Sequence, residues 1–275
     1  MSHFDDLRRY YQEQPNEVSL ETLAQCNAAC TFCPYPTLER IGTRMPYELI
    51  RRLIDEMATW EHPFFFSPFK VNEPLLDKRL IPICQEFNEK VPKGVLRIFT
   101  NGSPLTEERA QEIAGLNRVV HLWVSLNSHD PEEYRRLMGL DFDRTARNLD
   151  RLHASDFPHP VVLSCVGFPN EEFRRYCFER WPKFQSTAIG KSAWIDYTDP
   201  QISEVPDSEC SRWWELSITA TGKVSLCCMD GEARYPLGDV NTQTMLEIYN
   251  SPGYRALRSL KSRRQSAEPC NRCSY

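Results

Sequence analysis

The sequence predicts an α/β fold that is followed by a small, cysteine-rich C-terminal domain. Short apolar runs of strand length alternate with amphipathic helical patterns, and six such units occur up to Tyr197. After Tyr197 the composition becomes polar, with Pro200 and Pro206, and a second group of cysteines follows. We therefore predict two domains, at residues 1–198 and 199–275.

The spacing of apolar residues predicts each element in turn. The predicted strands are Val18–Ala24, Phe64–Val71, Val95–Thr100, Val119–Leu126, Val161–Val166 and Ser192–Tyr197. The first two predicted helices are Pro46–Trp60 and Asp77–Glu89. The third is capped by Thr106 and ends at Leu116, and two more begin near Pro131 and Asp143. The last is capped by Asn170 and ends near Glu179. Strands that alternate with helices of this length indicate βαβ units and a parallel sheet. Six units are too few for a closed eight-stranded barrel.

The composition excludes several classes of protein. The chain has 275 residues, of which 41% are hydrophobic, so it can bury a sizeable core. Its mean hydropathy of −0.53 and the lack of a long apolar run exclude a membrane span. The 33 basic and 38 acidic residues give a net charge of −5, which argues against a broad nucleic-acid surface. The sequence shows no apolar signal segment, and an odd count of 11 cysteines suits a reduced, cytoplasmic protein.

Three cysteines in one short loop form the most specific pattern in the chain. Cys26, Cys30 and Cys33 have the spacing C-x3-C-x2-C and follow the first predicted strand. Three thiolates from one loop can hold an inorganic centre, but a structural zinc site or an ordinary iron–sulfur cluster takes four protein ligands. No further Cys or His follows Cys33 before His62. The loop therefore predicts a cluster in which one iron remains open to another ligand.

Polar residues also occur where the later strands end. Asn72-Glu73-Pro74 follows the second predicted strand, and Thr100-Asn101-Gly102 ends the third. On the fourth strand the alternation of faces places Ser125 and Asn127 together, opposite an apolar face. Ser164 lies on the fifth strand. Because buried polar groups are costly without a partner, we expect these residues to bind a ligand at the carboxyl ends of the strands.

A second cysteine group lies in the last part of the chain. It consists of Cys210, Cys227 within the run Gly222-x4-Cys227, and the C-x2-C pair Cys270 and Cys273. Four thiolates suit either zinc or an iron–sulfur cluster, and the spacing does not separate the two. Cys228 follows Cys227 directly, and neighbours on a strand point to opposite faces, so only one of them can join such a site.

These motifs resemble those of the radical SAM superfamily. The three-cysteine loop, with Phe32 before its third cysteine, is similar to the loop whose open iron binds S-adenosylmethionine (SAM) in that family. Asn72-Glu73-Pro74 looks like the end of the family's Gly-Gly-Glu-Pro motif, with Asn72 in place of the second Gly. The later cysteines resemble a SPASM domain, and because the chain stops at Tyr275 they look like its shortened form, called twitch.

The resemblance implies a fold, a set of cofactors and a set of site residues. The fold is a partial (β/α)6 radical SAM barrel with a small C-terminal twitch domain, and the cofactors are SAM, one core [4Fe–4S] cluster and one auxiliary [4Fe–4S] cluster. The Gly-x4-Cys pattern selects Cys227 over Cys228. The implied cluster ligands are Cys26, Cys30, Cys33, Cys210, Cys227, Cys270 and Cys273. The residues implied to contact SAM are Phe32, Asn72, Glu73, Ser125, Asn127 and Ser164.

The implied activity is the generation of a 5′-deoxyadenosyl radical, followed by oxidation of a small polar metabolite such as a sugar or an aminocyclitol. The auxiliary cluster is then the electron acceptor, and a flavodoxin or ferredoxin is the reductant. Two alternatives remain: maturation of a peptide or protein side chain, and a redox-neutral epimerase or dehydratase. Only 25 residues precede Cys26, which leaves no room for a leader-binding domain and favours a small molecule. No catalytic acid or base is assigned, and His121 is expected to be structural.

Overall fold

The computed structural model of the chain describes residues 3–166, 170–190, 194–195, 197, 205–259 and 263–273. Its strands are β1 (Glu17–Leu20), β2 (Phe64–Ser67), β3 (Gly94–Thr100), β4 (Val119–Ser125), β5 (Val161–Val166), β6 (Gln185–Ile189), β7 (Glu215–Ile218), β8 (Lys223–Ser225) and β9 (Pro236–Asp239). Within the described residues these strands form one sheet in the order β6-β5-β4-β3-β2-β1-β7-β8-β9.

Helices connect the strands and cover one face of the sheet. They are α1 (His3–Tyr10), α2 (Tyr47–Met57), α3 (Leu80–Lys90), α4 (Glu107–Ala114), α5 (Pro131–Met138), α6 (Phe142–Ala154), α7 (Glu171–Arg180), α8 (Met245–Tyr249) and α9 (Pro252–Leu257). The predicted caps are confirmed, since the side chains of Thr106 and Asn170 accept hydrogen bonds from backbone N–H groups of α4 and α7. Strands β1 to β6 pair in parallel, so the predicted partial (β/α)6 barrel is confirmed.

The position of the sixth strand was predicted wrongly. The sixth strand, β6, covers Gln185–Ile189, whereas Trp194, Ile195 and Tyr197 lie outside any strand. The rest of the predicted strand, at 192–193 and 196, lies outside the described residues. Strand β6 is at the edge of the sheet and is only partly buried, so its sequence Gln-Ser-Thr-Ala-Ile lacks the apolar run of a central strand. Ile195 instead packs against Cys227 and Met229.

The two faces of each strand differ as the alternation predicted. Leu122 and Val124 of β4 are fully buried on the helical side, while Trp123 and Ser125 line a cavity on the concave side. The three isolated cysteines pack in the apolar core, as expected for small hydrophobic side chains; they are Cys84, Cys165 and Cys177. The concave side is therefore the place where ligands can bind.

The C-terminal segment continues the same sheet. Strand β7 pairs in parallel with β1, in the register Glu17↔Glu215 to Leu20↔Ile218, and β8 and β9 follow as antiparallel strands. The predicted boundary between residues 198 and 199 lies outside the described residues. Among the helices that the structure describes, none is both long enough and apolar enough to cross a membrane.

Candidate functional site

A cavity of about 820 Å³ lies on the concave side of the sheet. Its volume falls within the usual range of sites for small molecules. It brings together all nine residues that the sequence predicts for the core cluster and SAM, which are Cys26, Cys30, Cys33, Phe32, Asn72, Glu73, Ser125, Asn127 and Ser164. Sequence segments that are far apart along the chain thus meet in one site.

The three-cysteine loop follows β1 and is held against the end of α5. The backbone N–H groups of Ala29 and Thr31 donate to the carbonyl oxygens of Met138 and Leu137, both at 2.9 Å. Within the loop, the N–H of Ala28 donates to Cys26 Sγ at 3.4 Å. These hydrogen bonds hold the backbone of the loop against α5.

Burial raises the pKa of all three thiols of this loop, and neighbouring thiols add to the shift at Cys26 and Cys30. Burial raises the pKa of Cys26 to about 12 and that of Cys33 to about 11. The pKa of Cys30 is raised by burial and then by the neighbouring Cys33 and Cys26. Without a cation the thiols stay protonated at neutral pH, and binding of a metal centre must release their protons. Three soft donors that converge beside an open cavity fit a cluster with one exposed iron.

Glu73 makes hydrogen bonds to the strand ends around this loop. Its buried carboxylate accepts hydrogen bonds from Asn101 N at 2.6 Å, Thr100 Oγ1 at 2.9 Å and Leu75 N at 3.1 Å. Burial raises the pKa of Glu73 to about 7. Its backbone N–H donates to the carbonyl oxygen of Gln25 at 2.8 Å, next to the first cysteine of the loop. The side chain of Glu73 therefore connects the ends of β2 and β3 to the cysteine loop.

Asn72 offers an unused donor on the cavity wall. Its Oδ1 accepts from Lys70 N at 3.0 Å, whereas its Nδ2 is buried and has no partner among the described residues. A buried amide donor without a partner is costly unless a ligand satisfies it. This orphaned donor fits a ligand with a carboxylate or carbonyl oxygen, as SAM has.

Asn127 lies just beyond the end of β4 in a left-handed conformation, with φ of +63°. Its backbone N–H donates to the Ser164 carbonyl at 2.9 Å, and its Nδ2 lies 3.4 Å from the Ser125 carbonyl oxygen. The Ser164 hydroxyl has a different role, because it accepts from Trp123 Nε1 at 2.8 Å. The Nδ2 of Asn127 also lies 3.3 Å from Met138 Sδ, a weak acceptor that a ligand oxygen can replace. Asn127 and Ser125 line the cavity, while Ser164 orients the indole.

A row of charged and polar side chains crosses the concave face below these residues, and the sequence analysis missed it. We call it the polar row; its members are Glu215, Glu17, Arg97 and His121, on β7, β1, β3 and β4. Glu17 accepts from Ser67 Oγ and from Arg97 Nη1, both at 2.7 Å. The only signal for it in the sequence was the presence of single charged residues inside otherwise apolar strands.

Two further groups connect the polar row to the C-terminal strands. Arg212 Nη1 donates to Glu215 at 2.9 Å, and burial raises the pKa of that carboxyl to about 7. Lys70 is fully enclosed, and its Nζ donates to Ser225 Oγ at 3.0 Å and to the Asp230 carbonyl at 2.9 Å. Burial lowers the pKa of Lys70. Charged groups thus line the cavity on the side that faces the second cysteine group.

The second cysteine group is buried beneath this end of the cavity. Cys210 and Cys227 are each 8% exposed, and Cys270 and Cys273 are each 6% exposed. Burial raises the pKa of Cys210 to about 11, and the thiols of Cys270 and Cys273 add to that shift. Burial also raises the pKa of Cys227, to which Cys228 and Cys210 contribute.

Cys228 differs from its neighbour because it lines the cavity. Its charged neighbours are Arg212, Glu215, Lys70 and Glu17. Cys227 and Cys228 therefore have different environments, as expected for adjacent residues of an extended segment. Which of the two is a cluster ligand remains a prediction.

Comparison with known proteins decides the family. Residues 20–176, more than half of the chain, match the family described as radical SAM superfamily. The chain belongs to the radical SAM superfamily. Residues 210–274 of this radical SAM protein match SPASM, described as an iron–sulfur cluster-binding domain. The protein therefore uses SAM, a core [4Fe–4S] cluster and an auxiliary iron–sulfur cluster, as the sequence predicted.

Relatives of this radical SAM protein include an enzyme of known reaction. The S-adenosyl-L-methionine-dependent 2-deoxy-scyllo-inosamine dehydrogenase of Niallia circulans is 31% identical over 261 residues, which are 94% of this chain and 92% of that protein. Crystal structures show the same fold at lower identity. BtrN in complex with AdoMet and 2-DOIA is 18% identical with a TM-score of 0.64, covering 94% of this chain and 93% of that chain. Streptococcus suis SuiB bound to precursor peptide SuiA is 15% identical with a TM-score of 0.70, covering 98% and 72%.

Proposed function

We propose that this radical SAM protein dehydrogenates a small polyhydroxylated ring compound, a sugar or an aminocyclitol, at a carbon that bears a hydroxyl group. The observation that carries the proposal is the 31% identity to a SAM-dependent 2-deoxy-scyllo-inosamine dehydrogenase over 94% of the chain. The match covers nearly the whole of both proteins, so it is not limited to one domain. The likeness to SuiB concerns the fold alone and carries no substrate.

The lining of the cavity supports a polar substrate. Glu17, Arg97 and Arg212 lie on its wall and are partly or fully buried. These groups already form ion pairs with one another or with Glu215, and a substrate with several hydroxyl or amino groups can add hydrogen bonds to the pairs, whereas an apolar substrate cannot. The charges therefore favour a polyol or amino-polyol.

We assign the upper part of the cavity to SAM and its cluster. When bound, they supply the 5′-deoxyadenosyl radical. Cys26, Cys30 and Cys33 hold the core cluster, and Asn127 and Asn72 donate hydrogen bonds to SAM. The other predicted contacts, Phe32, Ser125, Ser164 and the main chain at Glu73, complete this surface. Phe99 and Trp123, whose ring centroids are 6.2 Å apart, form an aromatic wall that keeps water from the radical.

The lower part of the cavity belongs to the electron acceptor. Cys210, Cys227, Cys270 and Cys273 supply four protein ligands to the auxiliary cluster, so no iron is open to the substrate. When bound, the auxiliary cluster would supply an acceptor for the electron that leaves the substrate, and a flavodoxin or ferredoxin would reoxidise it. We propose the same class of carrier as the reductant of the core cluster, and the cytoplasm as the location of the enzyme.

Asn127→Gly tests the SAM site. Glycine adopts a φ of +63° without strain and lacks only the amide, so the backbone is expected to persist. We expect SAM to bind about 5- to 150-fold more weakly to the variant, which corresponds to about 1–3 kcal/mol for an unpaired polar partner. Calorimetry on the reconstituted protein measures the affinity for SAM, and the iron content is the control for an intact cluster. Equal affinity in variant and wild type places Asn127 outside the site.

A deuterium label tests the reaction. The probe is 2-deoxy-scyllo-inosamine with deuterium at its carbinol carbons, incubated anaerobically with SAM and reductant. We expect one deuterium in 5′-deoxyadenosine per turnover, and with unlabelled probe a product two mass units lighter than the substrate. Mass spectrometry measures both. Label transfer without a lighter product contradicts dehydrogenation.

Cys228 favours one alternative reaction. Its thiol lines the cavity together with the three-cysteine loop, and a thiol can return a hydrogen atom to a carbon radical. That chemistry yields a product with the same mass as its substrate, which is the outcome expected of an epimerase. In that case Cys228→Ala abolishes product while SAM cleavage continues. Under dehydrogenation the same variant still forms the oxidised product.

A further inference from the structure

Dehydrogenation of an alcohol carbon needs a group that accepts a proton. The 5′-deoxyadenosyl radical takes a hydrogen atom from the C–H bond, and one electron leaves for the auxiliary cluster. The hydroxyl proton must also leave before the C=O bond is complete. The proposed function assigns no residue that accepts this proton. A residue for this role rests on that proposed function.

Most ionisable groups on the cavity wall are already engaged. The carboxylate of Glu17 accepts hydrogen bonds on both oxygens, from Ser67 and Arg97. The Nζ of Lys70 donates to Ser225 and to the Asp230 carbonyl. Guanidinium groups stay protonated and cannot accept a proton at neutral pH. These groups can orient a substrate, but they are poorly suited to deprotonate it.

His121 differs from these groups. It lines the cavity, and its Nε2 is buried with no hydrogen-bond partner among the described residues. A buried ring nitrogen without a partner is unusual in a folded protein and calls for an explanation. A ligand hydroxyl in the cavity would supply the missing partner.

Aromatic contacts hold the imidazole in place. The ring of Phe99 meets it edge to face, with centroids 5.9 Å apart and an interplanar angle of 84°. The indole of Trp123 lies at 5.5 Å, and Ser164 anchors this indole through its Nε1. Pre-orientation of this kind is what proton transfer requires, because a base must reach the proton at hydrogen-bond distance.

The surrounding charges keep the imidazole neutral. Burial, and then the guanidinium of Arg97 on β3, lower the pKa of His121 below its usual value. Arg97 is in turn paired with Glu17 of β1. On the other side β5 contributes Val162 and Ser164, which carry no charge. At neutral pH His121 is therefore a free base that can bind a proton.

We propose that His121 is the catalytic base that takes the hydroxyl proton from the substrate radical. The C–H bond breaks first, and its hydrogen atom forms a new C–H bond in 5′-deoxyadenosine. The O–H bond then breaks, and its proton goes to one imidazole nitrogen of His121. The unpaired electron passes to the auxiliary cluster, the oxidant of the step, and the C=O bond forms. Arg97 lies in register with His121 and promotes later release of the proton to water.

The test compares His121→Gln with a matched control, His159→Gln. His159 is a partly buried histidine outside this cavity, and its Nε2 lies 3.1 Å from the Ile113 carbonyl oxygen. With the unlabelled and deuterated probe, 2-deoxy-scyllo-inosamine, we expect His121→Gln to lower the rate of ketone formation about 10²- to 10⁴-fold. SAM cleavage and deuterium transfer into 5′-deoxyadenosine should persist. The wild-type rate should fall as the pH drops below the imidazole pKa, and this fall should be absent in the variant.

Binding gives a readout that does not depend on turnover. Calorimetry on holoenzyme with SAM but no reductant measures the affinity for the same probe. Wild type should bind it more weakly as the pH is lowered and His121 becomes protonated, whereas His121→Gln should lose this pH dependence. A variant that forms ketone at the wild-type rate, or that loses deuterium transfer together with ketone, overturns the assignment. If wild type itself forms no ketone, the dehydrogenase proposal fails, and the assignment fails with it.

Discussion

Replacement of Cys26, Cys30 and Cys33 by Ala is expected to abolish SAM cleavage and to leave about half of the iron. Two four-iron clusters give about eight irons per chain, and the triple variant retains only the auxiliary one. The other cysteine group lies at the far end of the sheet and shares no ligand with this loop. Iron analysis and detection of 5′-deoxyadenosine, both under anaerobic conditions, measure the two effects.

A cysteine in the apolar core supplies the control for this variant. Cys84 is fully buried on α3, away from the cavity, so Cys84→Ala should keep all the iron and all the cleavage activity. The loss of one small buried side chain lowers stability only modestly. Cleavage of SAM by the triple variant contradicts the assignment of the core cluster.

Loss of the auxiliary cluster is expected to separate SAM cleavage from product formation. Cys210→Ala and Cys273→Ala each remove one of four ligands, so the variants should hold about half of the iron. They should still form 5′-deoxyadenosine, because the three-cysteine loop is intact. They should form no ketone, because the electron of the substrate radical has no acceptor.

The adjacent cysteines provide the matched comparison for this prediction. Cys227 is buried near Cys210, whereas Cys228 lines the cavity. Cys227→Ser should reproduce the iron loss of Cys210→Ala, and Cys228→Ser should retain the iron. The reverse result would make Cys228 the ligand. Zinc in place of iron in anaerobically purified protein contradicts an iron–sulfur centre at this site.

Local sequence signals were sufficient to predict the barrel and its cluster loop. The cysteine spacing at 26–33 depends only on neighbouring residues, and the apolar residues of β2 to β5 reflect burial of at least one face of each strand against the helices. The polar strand ends also followed from alternation, which correctly placed Ser125 and Asn127 on the cavity wall. Each of these inferences needed only a few consecutive residues.

Features that depend on distant segments were not predicted. The edge strand β6 has no apolar run, so it was placed several residues too late. Glu17 and Glu215 become neighbours only because β7 pairs with β1, and neither local sequence predicts that pairing. The surroundings of His121 were not predicted for the same reason, since Arg97 and Phe99, which contact it, lie on another strand.

The parallel pairing of β1 with β7 holds the two cysteine groups apart along the direction of the strands. Cys26 lies beyond the carboxyl end of β1, whereas Cys210 precedes the amino end of β7. The two cysteine groups therefore sit at opposite ends of one ladder of four residue pairs, which is about 13 Å long at about 3.3 Å per residue. A hydrogen-bonded ladder does not stretch as a flexible tether does. The separation of the two cysteine groups along the strands is thus built into the sheet.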